Sequence, residues 1–180
     1  MDNERFDKLM KRIAGGEKEA LREIYDAYKD TIYYNVYSVL GNDADTQDVA
    51  NEVFIKLWTM AKAYKPGSGH KAWLSTICHN AAIDFLRKNG RELAYEQEEM
   101  EGLSDAKIDN AMAELEGEHY VSWVLSHLVP AEREVVHMKV VLEMTLKEIG
   151  ETLGIPIGTV SWRYRKGIHK LRRCGYGTGF

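Results

Sequence analysis

The stretch TLKEIGETLGIPIGTVSWRYRKGIHKLRR, residues 145–173, carries the clearest structural signal in the chain. Thr145 and Glu148 have the spacing of a capping box, in which the threonine caps a helix and the glutamate reaches back to the capping residue. Apolar residues at helical spacing follow the cap, namely Leu146, Ile149 and Leu153. Gly154 ends this helix after about two turns, and Ile157 opens the next. The order helix, glycine turn, helix predicts a DNA-reading helix-turn-helix.

The second helix, from Ile157 to about residue 172, separates its residues into two faces. With 100° per residue, four apolar residues fall within roughly 60° of Ile157, namely Val160, Tyr164, Ile168 and Leu171. The other face is strongly cationic, and residues 155–180 contain six basic residues and no acidic one. We therefore predict that its N-terminal residues reach base edges and that its later residues, including Arg172 and Arg173, bind the phosphate backbone. The predicted DNA contacts are Thr159, Ser161, Trp162, Arg163, Arg165, Lys166 and Lys170.

A plainer interpretation of this cationic face is an ordinary surface helix with solvated lysines and arginines. For Trp162, the corresponding alternative is a packing contact against the preceding helix. The capping box, the glycine turn, the apolar stripe and the absence of acidic residues together favour DNA binding.

The charge of the 180-residue chain is distributed unevenly, although the formal net charge is only −4. Residues 1–91 carry a net charge of +1, residues 92–118 carry −9 and residues 119–180 carry +4. The pattern of a near-neutral head, an acidic middle and a basic end predicts two helical domains joined by a linker. We predict an all-α fold with a four-helix head at 1–90, an acidic linker at 91–118, the helix-turn-helix domain at 119–175 and a short tail at 176–180.

Several classes of protein are excluded by what the sequence lacks. It has no apolar run long enough to span a membrane and no secretion signal, so we expect a cytoplasmic protein that does not insert into the membrane. Two distant cysteines and scattered histidines match no metal-ligand spacing, and no phosphate-binding loop or nucleophile elbow is present. We therefore expect no metal, no cofactor, no small-molecule substrate and no enzymatic activity.

Three segments of the chain resemble the extracytoplasmic-function group of bacterial RNA polymerase sigma factors. DTQDVANEVFIKLW at 45–58 resembles the polymerase-binding helix of that family, and AWLSTICHNAAIDFLRK at 72–88 resembles its promoter-melting helix. The Leu-Val-Pro start at 128–130 and the GIPIGTV turn at 154–160 match its upstream-element reader. The three matches occur in the family's order and spacing, over about residues 45–88 and 123–173. The family pattern commonly has a basic residue and a serine where Ser161 and Trp162 stand, so the promoter sequence does not follow from the resemblance.

The helix predicted at residues 45–62 has an apolar arc that contains Phe54 and an opposite polar arc. We expect Phe54 and Trp58 to lie in the core. A solvated polar face is the plain interpretation of the other arc, whereas the resemblance implies that it docks on the clamp coiled coil of the largest polymerase subunit. The implied polymerase contacts are Asp45, Asp48, Asn51, Glu52 and Lys56.

The helix predicted at residues 71–88 has a narrow polar stripe on an otherwise apolar surface, formed by Thr76, Asn80, Asp84 and Arg87. The resemblance implies that this helix and the loop before it capture a flipped base of the minus-ten element. Asn80 can both donate to and accept from a base edge, and Asp84 is suited to orienting Arg87. Trp73 either stacks on DNA or anchors the helix structurally. The implied minus-ten contacts are His70, Lys71, Trp73, Thr76, Asn80, Asp84, Arg87 and Lys88.

The resemblance also implies the partners of the chain: core RNA polymerase at its clamp and flap, promoter DNA, and an anti-sigma factor. It implies that the acidic linker threads the polymerase cleft, whereas the plain interpretation is solubility and reach. Two other functions remain as alternatives. A dimeric repressor or activator would share only the helix-turn-helix, and a helical metal hydrolase would use the acidic residues Asp43, Asp45, Asp48 and Glu52.

Overall fold

The computed structural model describes residues 1–67, 69–90 and 124–173, and every regular element in these ranges is a helix. The N-terminal lobe contains α1 (Asn3–Ala14), α2 (Lys18–Leu40), α3 (Asp43–Met60) and α4 (His70–Lys88), with a 3₁₀ turn at Ala61–Ala63. The C-terminal lobe contains α5 (Pro130–Val140), α6 (Leu146–Leu153) and α7 (Ile157–Arg173). The predicted all-α class is confirmed. The predicted acidic linker at 91–118 and tail at 176–180 lie outside the described residues.

Helices α1 and α3 begin, and α2 ends, where the sequence supplies caps. The side chain of Asp2 accepts a hydrogen bond from the Arg5 amide at 2.8 Å, and Asn42 caps α3 through the Asp45 amide at 3.0 Å. Gly41 ends α2 with a φ of 70°, a left-handed conformation that suits glycine. The four helices enclose one apolar core, which includes Phe6, Ile24, Ile32, Leu57, Leu74 and Cys78.

The C-terminal lobe is built on α5, which opens with Pro130 at its first turn. Val135 and Met138 of α5 pack with Ile149 of α6 and Val160 of α7 in a small core of their own. His137 of α5 is fully buried, and neither of its ring nitrogens has a hydrogen-bond partner among the described residues. Desolvation therefore lowers the pKa of His137 to about 4, and the ring is neutral in the folded protein.

The two lobes are in contact, because α5 packs against α2 and α6 packs against α4. Tyr37 of α2 joins a buried cluster with residues of the C-terminal lobe, and Ala72 of α4 packs against the core of that lobe. The sequence predicted a head and a tail joined by a linker but not this contact. None of the helices described is long and apolar enough to cross a membrane.

Candidate nucleic-acid and polymerase interfaces

The turn between α6 and α7 has the geometry that the sequence predicted. The capping box is present: Glu148 accepts a hydrogen bond from the Thr145 amide at 2.7 Å, and the Thr145 hydroxyl accepts one from the Glu148 amide at 3.2 Å. Gly154 ends α6 in the left-handed conformation with a φ of 67°. Gly150 is also required by the turn, because a Cβ there would lie 2.9 Å from the Ile155 carbonyl oxygen. These contacts fix the angle at which α7 leaves α6.

Helix α7 turns most of its predicted apolar stripe inward. Val160, Ile168 and Leu171 are buried, and Tyr164 is half-buried. Ile157 was predicted to share this stripe, but it is 57% exposed. Ile157 is the first residue of α7, and the stripe reaches the core only one turn later, at Val160.

The outer face of α7 is cationic and also carries an exposed aromatic ring. Trp162 is 50% exposed, and the Lys166 ammonium lies 4.7 Å from the centre of its ring. Arg165 is exposed, and its Nε donates to the Ser161 carbonyl at 3.3 Å. The half-buried members of the predicted DNA-contact set are Thr159, Ser161, Arg163, Lys166 and Lys170. The predicted contacts thus lie around the exposed Trp162 ring on α7, and their role in DNA binding stays a prediction.

Two of these cations already have a partner within the protein. Glu132 of α5 is 1% exposed, and its carboxylate lies 3.3 Å from Lys166 Nζ and 2.8 Å from Lys170 Nζ. Glu132 is not among the functional residues that the sequence predicted. In the sequence, Glu132 is only an acidic residue in the first turn of a helix. Such a residue by itself predicts a favourable interaction with the helix N-terminus and not an ion pair with residues 34 or more positions away.

The predicted polymerase-binding face of α3 is open to solvent. Asp48, Asn51 and Glu52 are exposed, and the Lys56 ammonium lies 3.4 Å from a Glu52 carboxylate oxygen. Asp45 is half-buried and accepts a hydrogen bond from the Asn42 side chain at 2.9 Å. As predicted, Phe54 is buried and Trp58 packs against the core.

A groove between α2 and α3 borders this polar face. It has a volume of about 450 Å³, and its lining includes Tyr25, Tyr33, Tyr34, Asn51 and Phe54. The Tyr25 and Phe54 rings are 4.8 Å apart, and Tyr25 is 42% exposed. The sequence did not predict the contribution of α2, because an aromatic residue of an amphipathic helix usually lies in the core.

Most of the predicted minus-ten residues of α4 are exposed, whereas His70 is buried and Trp73 and Thr76 are half-buried. Asn80, Asp84, Arg87 and Lys88 are exposed along the C-terminal half of α4. Asp84 lies 3.9 Å from Lys56 of α3, so the two predicted functional helices are linked by a long ion pair. Thr76 is half-buried, and its hydroxyl donates to the Ala72 carbonyl at 2.9 Å.

His70 and Trp73, at the start of α4, face the core of the N-terminal lobe. His70 is 3% exposed, hydrogen-bonds to the Tyr28 hydroxyl at 2.6 Å and to the Asn3 side chain, and stacks on Phe6. Burial lowers the pKa of His70. The Trp73 ring centre lies 4.7 Å from that of Tyr64. Of the two roles left open for Trp73, the structural anchor agrees with these contacts, and the His70 ring is not at the surface in this conformation.

The other side of α4 meets the C-terminal lobe through polar contacts. His79 Nδ1 lies 2.6 Å from the Glu134 carboxylate of α5, and Lys71 donates to the Leu142 carbonyl at 3.0 Å. Burial alone would lower the pKa of His79, but the charge of Glu134 and its hydrogen bond outweigh burial and raise the pKa. Arg133 of α5 also donates to the Tyr37 carbonyl of α2 at 3.3 Å. One edge of the predicted melting helix is therefore covered by the other lobe.

A cleft of about 760 Å³ lies at this junction. On one side it is lined by Lys71, Trp73 and Thr76 of α4, and on the other by Glu143, Glu148 and Glu151 of the C-terminal lobe. The described residues contain no group of three or more histidine, cysteine, aspartate or glutamate side chains arranged to hold a metal ion.

Two regions of the chain match models of known families. The sigma-70 region 2 model matches residues 24–92, and the sigma-70, region 4 model matches residues 124–173. The ECF RNA polymerase sigma factor SigW of Bacillus subtilis is 32% identical over 176 residues, which cover 92% of this chain and 94% of the relative. The ECF RNA polymerase sigma factor SigK of Mycobacterium tuberculosis (strain ATCC 25618 / H37Rv) is 28% identical over 174 residues, which cover 94% of this chain and 92% of the relative.

Two solved structures share the fold. CnrH in complex with the cytosolic domain of CnrY aligns with a TM-score of 0.63 at 21% identity, over 96% of each chain. The sigma factor RpoE in complex with the anti-sigma factor NepR from Bartonella quintana aligns with a TM-score of 0.65 at 19% identity, over 87% of this chain and 97% of that one. At these identities the likeness concerns the helical fold alone.

The resemblance inferred from residues 45–88 and 123–173 is therefore confirmed by the family matches and by the relatives. The chain belongs to the ECF group of RNA polymerase sigma factors, which bind core RNA polymerase and direct promoter-specific initiation of transcription.

Proposed function

We propose that the exposed face of α3 docks on the clamp coiled coil of the largest polymerase subunit. The support is the row of exposed polar groups on α3, Asp48, Asn51 and Glu52, beside the aromatic groove that contains Tyr25. Acidic side chains complement a basic partner and set its orientation, while an aromatic groove supplies apolar contact area. Lys56 and Asp45 support this face by pairing within it.

We propose that α4 recognises and opens the minus-ten element through its exposed groups. Asn80 is the residue that reads a flipped base, because its amide offers both a donor and an acceptor on the solvent side of α4. Arg87 and Lys88 bind the phosphates beside it, and Lys71 and Thr76 extend the site toward the N-terminus of α4. His70 and Trp73 hold the start of α4 in the core instead of contacting DNA.

We propose that α7 reads the minus-thirty-five element in the major groove, with the C-terminal lobe seated on the polymerase flap. The observation that carries this assignment is the exposed cationic face of α7 around Trp162, presented by a helix-turn-helix with a complete capping box. Thr159, Trp162 and Arg163 lie in the first two turns, where recognition helices contact bases. Arg165, Arg172 and Arg173 bind phosphates.

The remaining proposals concern regulation of the protein, its location and the source of the chemistry. We propose that an anti-sigma factor regulates the protein. One structural neighbour, RpoE, was solved in complex with the anti-sigma factor NepR, and the other, CnrH, in complex with the cytosolic domain of CnrY. We further propose that the protein acts in the cytoplasm, where polymerase is, and supplies no chemistry of its own, so that every covalent step belongs to polymerase.

Run-off transcription by core polymerase with the purified protein tests this assignment. We expect Asn80→Ala to reduce promoter opening by roughly tenfold while binding to core polymerase is unchanged, because one bidentate base contact is worth about 1–3 kcal/mol. Arg163→Ala should weaken binding of the upstream duplex and leave core association intact. Glu19→Gln, at an exposed position of α2, is the control and should behave as wild type.

Two results would contradict the proposal. The first is a wild-type protein that binds core polymerase but stimulates transcription from no cognate promoter. The second is loss of core binding in Arg163→Ala, which would mean that α7 and α3 do not have separate tasks.

A further inference from the structure

The carboxylate of Glu132 is buried within the C-terminal lobe, between α5 and the cationic face of α7. It is 1% exposed, yet two lysine ammonium groups approach it, Lys166 at 3.3 Å and Lys170 at 2.8 Å. Lys166 and Lys170 are four residues apart and therefore lie on the same side of α7, one turn from each other. Both are only partly exposed, at 33% and 26% of their side-chain surfaces.

The helix backbones are close at this point because residue 167 is a glycine. A Cβ at Gly167 would lie 2.8 Å from a Val136 methyl carbon and 3.5 Å from the Glu132 Cβ. The two lysines lie one residue before and three residues after Gly167, so both extend from the part of α7 that approaches Glu132 and Val136 of α5. This packing brings the Glu132 carboxylate within reach of both ammonium groups.

Breaking the ion pairs of Glu132 is energetically costly because its carboxylate is buried. A buried carboxylate without a partner has a large desolvation cost, so at least one lysine must stay with it in the folded protein. An ammonium held at a carboxylate cannot at the same time neutralise a DNA phosphate in the same geometry. Lys166 is further fixed because its ammonium lies over the Trp162 ring at 4.7 Å.

We propose that Glu132 is a positioning residue for promoter recognition, which holds Lys166 and Lys170 away from the phosphates and fixes the Lys166–Trp162 pair on the reading face. The inference rests on the proposed role of α7 in reading the upstream element and assigns these two lysines within it. The consequence is a lower affinity for arbitrary DNA and a larger difference between matched and unmatched promoters. Sequence-independent affinity grows with each phosphate that is neutralised, whereas discrimination depends on groups held in register with the bases.

The test compares Glu132→Gln with wild type in holoenzyme reconstituted from core polymerase and the full chain. Binding is measured on two labelled promoter duplexes, one with its upstream element and one with that element scrambled, over a range of salt concentrations. We expect Glu132→Gln to bind the scrambled duplex about three- to tenfold more tightly at low salt and to steepen the salt dependence by about one to two in log–log slope, because each new phosphate contact adds about 0.9. The ratio of affinities for the two duplexes should fall at least threefold.

The matched control is Glu151→Gln, which removes one negative charge from the exposed surface of the same lobe. Glu151 pairs only loosely with Lys147, at 3.8 Å, so this variant changes the net charge equally without freeing Lys166 or Lys170. The proposal is overturned if Glu132→Gln has the same salt slope as Glu151→Gln. It is also overturned if Glu132→Gln loses affinity for both duplexes in parallel, which is the result of a merely structural role.

Single lysine variants give the same answer if Glu132→Gln does not fold. Lys166→Gln and Lys170→Gln should each change the salt slope by less than about 0.5, whereas Arg165→Gln, at an exposed position of α7, should reduce it by about 0.9. A full reduction for either lysine would overturn the proposal. A wild-type holoenzyme that binds both duplexes equally would contradict the proposed role of α7 itself. This outcome is separate from the variant results, which test only the role of Glu132.

Discussion

Helices α3 and α4 lie side by side in the N-terminal lobe, but their functional faces differ in how much of each is covered. The face of α3 with Asp48, Asn51 and Glu52 is open, and α3 packs mainly on α2, α4 and the 3₁₀ turn. One edge of α4 is occupied by the C-terminal lobe, which contacts Lys71 and His79. In this conformation, the face of α3 proposed to bind polymerase is exposed. The face of α4 proposed to open the promoter is exposed only in part.

Under the proposed assignments, this difference predicts an order of events. The face of α3 docks on polymerase without rearrangement, whereas the N-terminal half of α4 is freed only when the lobes separate. We predict that binding to core polymerase favours separated lobes and is therefore thermodynamically coupled to promoter access.

The largest expected effect is a charge reversal on the open face. Glu52→Lys should weaken binding to core polymerase by roughly a hundredfold, because it places a like charge against a basic partner, which costs several kcal/mol. It should leave the contact between the lobes unchanged. Glu19→Lys, on the exposed start of α2, is the matched reversal. Equal core affinity for both variants, measured by fluorescence anisotropy, would place the polymerase contact elsewhere.

An intermediate effect is expected at the covered edge of α4. Glu134→Gln removes the charge that faces His79. It should destabilise the arrangement in which the two lobes are in contact by about 2 kcal/mol, because hydrogen bonds to charged groups contribute about 1.5–3 kcal/mol. We expect the radius of gyration in solution scattering to increase and the amides of α4 to exchange faster.

The control for that variant is Glu143→Gln. Glu143 is 80% exposed at its side chain and lies 3.5 Å from Lys71, so its removal should change stability by less than about 0.5 kcal/mol. If Glu134→Gln is as compact as Glu143→Gln, the pair between His79 and Glu134 does not hold the lobes together.

The smallest expected effect is a dependence of the contact on pH. The pKa of His79 is raised above its ordinary value of 6.5, so its pairing with Glu134 is fully present below that value and is lost as pH rises through the raised pKa. The distance between labels on the two lobes, measured by energy transfer, should therefore increase toward alkaline pH in wild type and stay constant in His79→Gln. A dependence of the same size in His79→Gln would exclude His79 as its source.

We expect His137 to make global stability respond to acid in the opposite sense. Its pKa is lowered to about 4, so its contribution is present above 6.5 and is lost as pH falls toward 4. For this reason the distance between the lobes, and not the melting temperature, is the quantity that isolates His79.

The features that sequence alone predicted are those set by neighbouring residues. The capping box at Thr145, the glycine turn at Gly154 and the apolar stripe from Val160 to Leu171 depend on spacings of a few residues, and all are present. The burial of Phe54 and the exposure of Asn80 likewise follow from helical periodicity.

The features that the sequence did not predict depend on partners far along the chain. His70 is buried by Phe6 and Tyr28, the pairing of His79 requires a residue 55 positions away, and Lys166 and Lys170 are held by Glu132 of a different helix. Helical periodicity shows whether a residue faces inward or outward. It does not show which charged group lies opposite that residue on a neighbouring helix.

The close approach at Gly167 limits how α7 can be altered to change promoter choice. Any side chain at this position must displace Val136 or move α7 as a whole. A combinatorial library that randomises Thr159, Trp162 and Arg163 would therefore yield variants that recognise new promoter sequences while α7 keeps its position against α5. The same library extended through 167 would consist largely of proteins whose helix has shifted, and selection for a new promoter would return glycine there in nearly every clone.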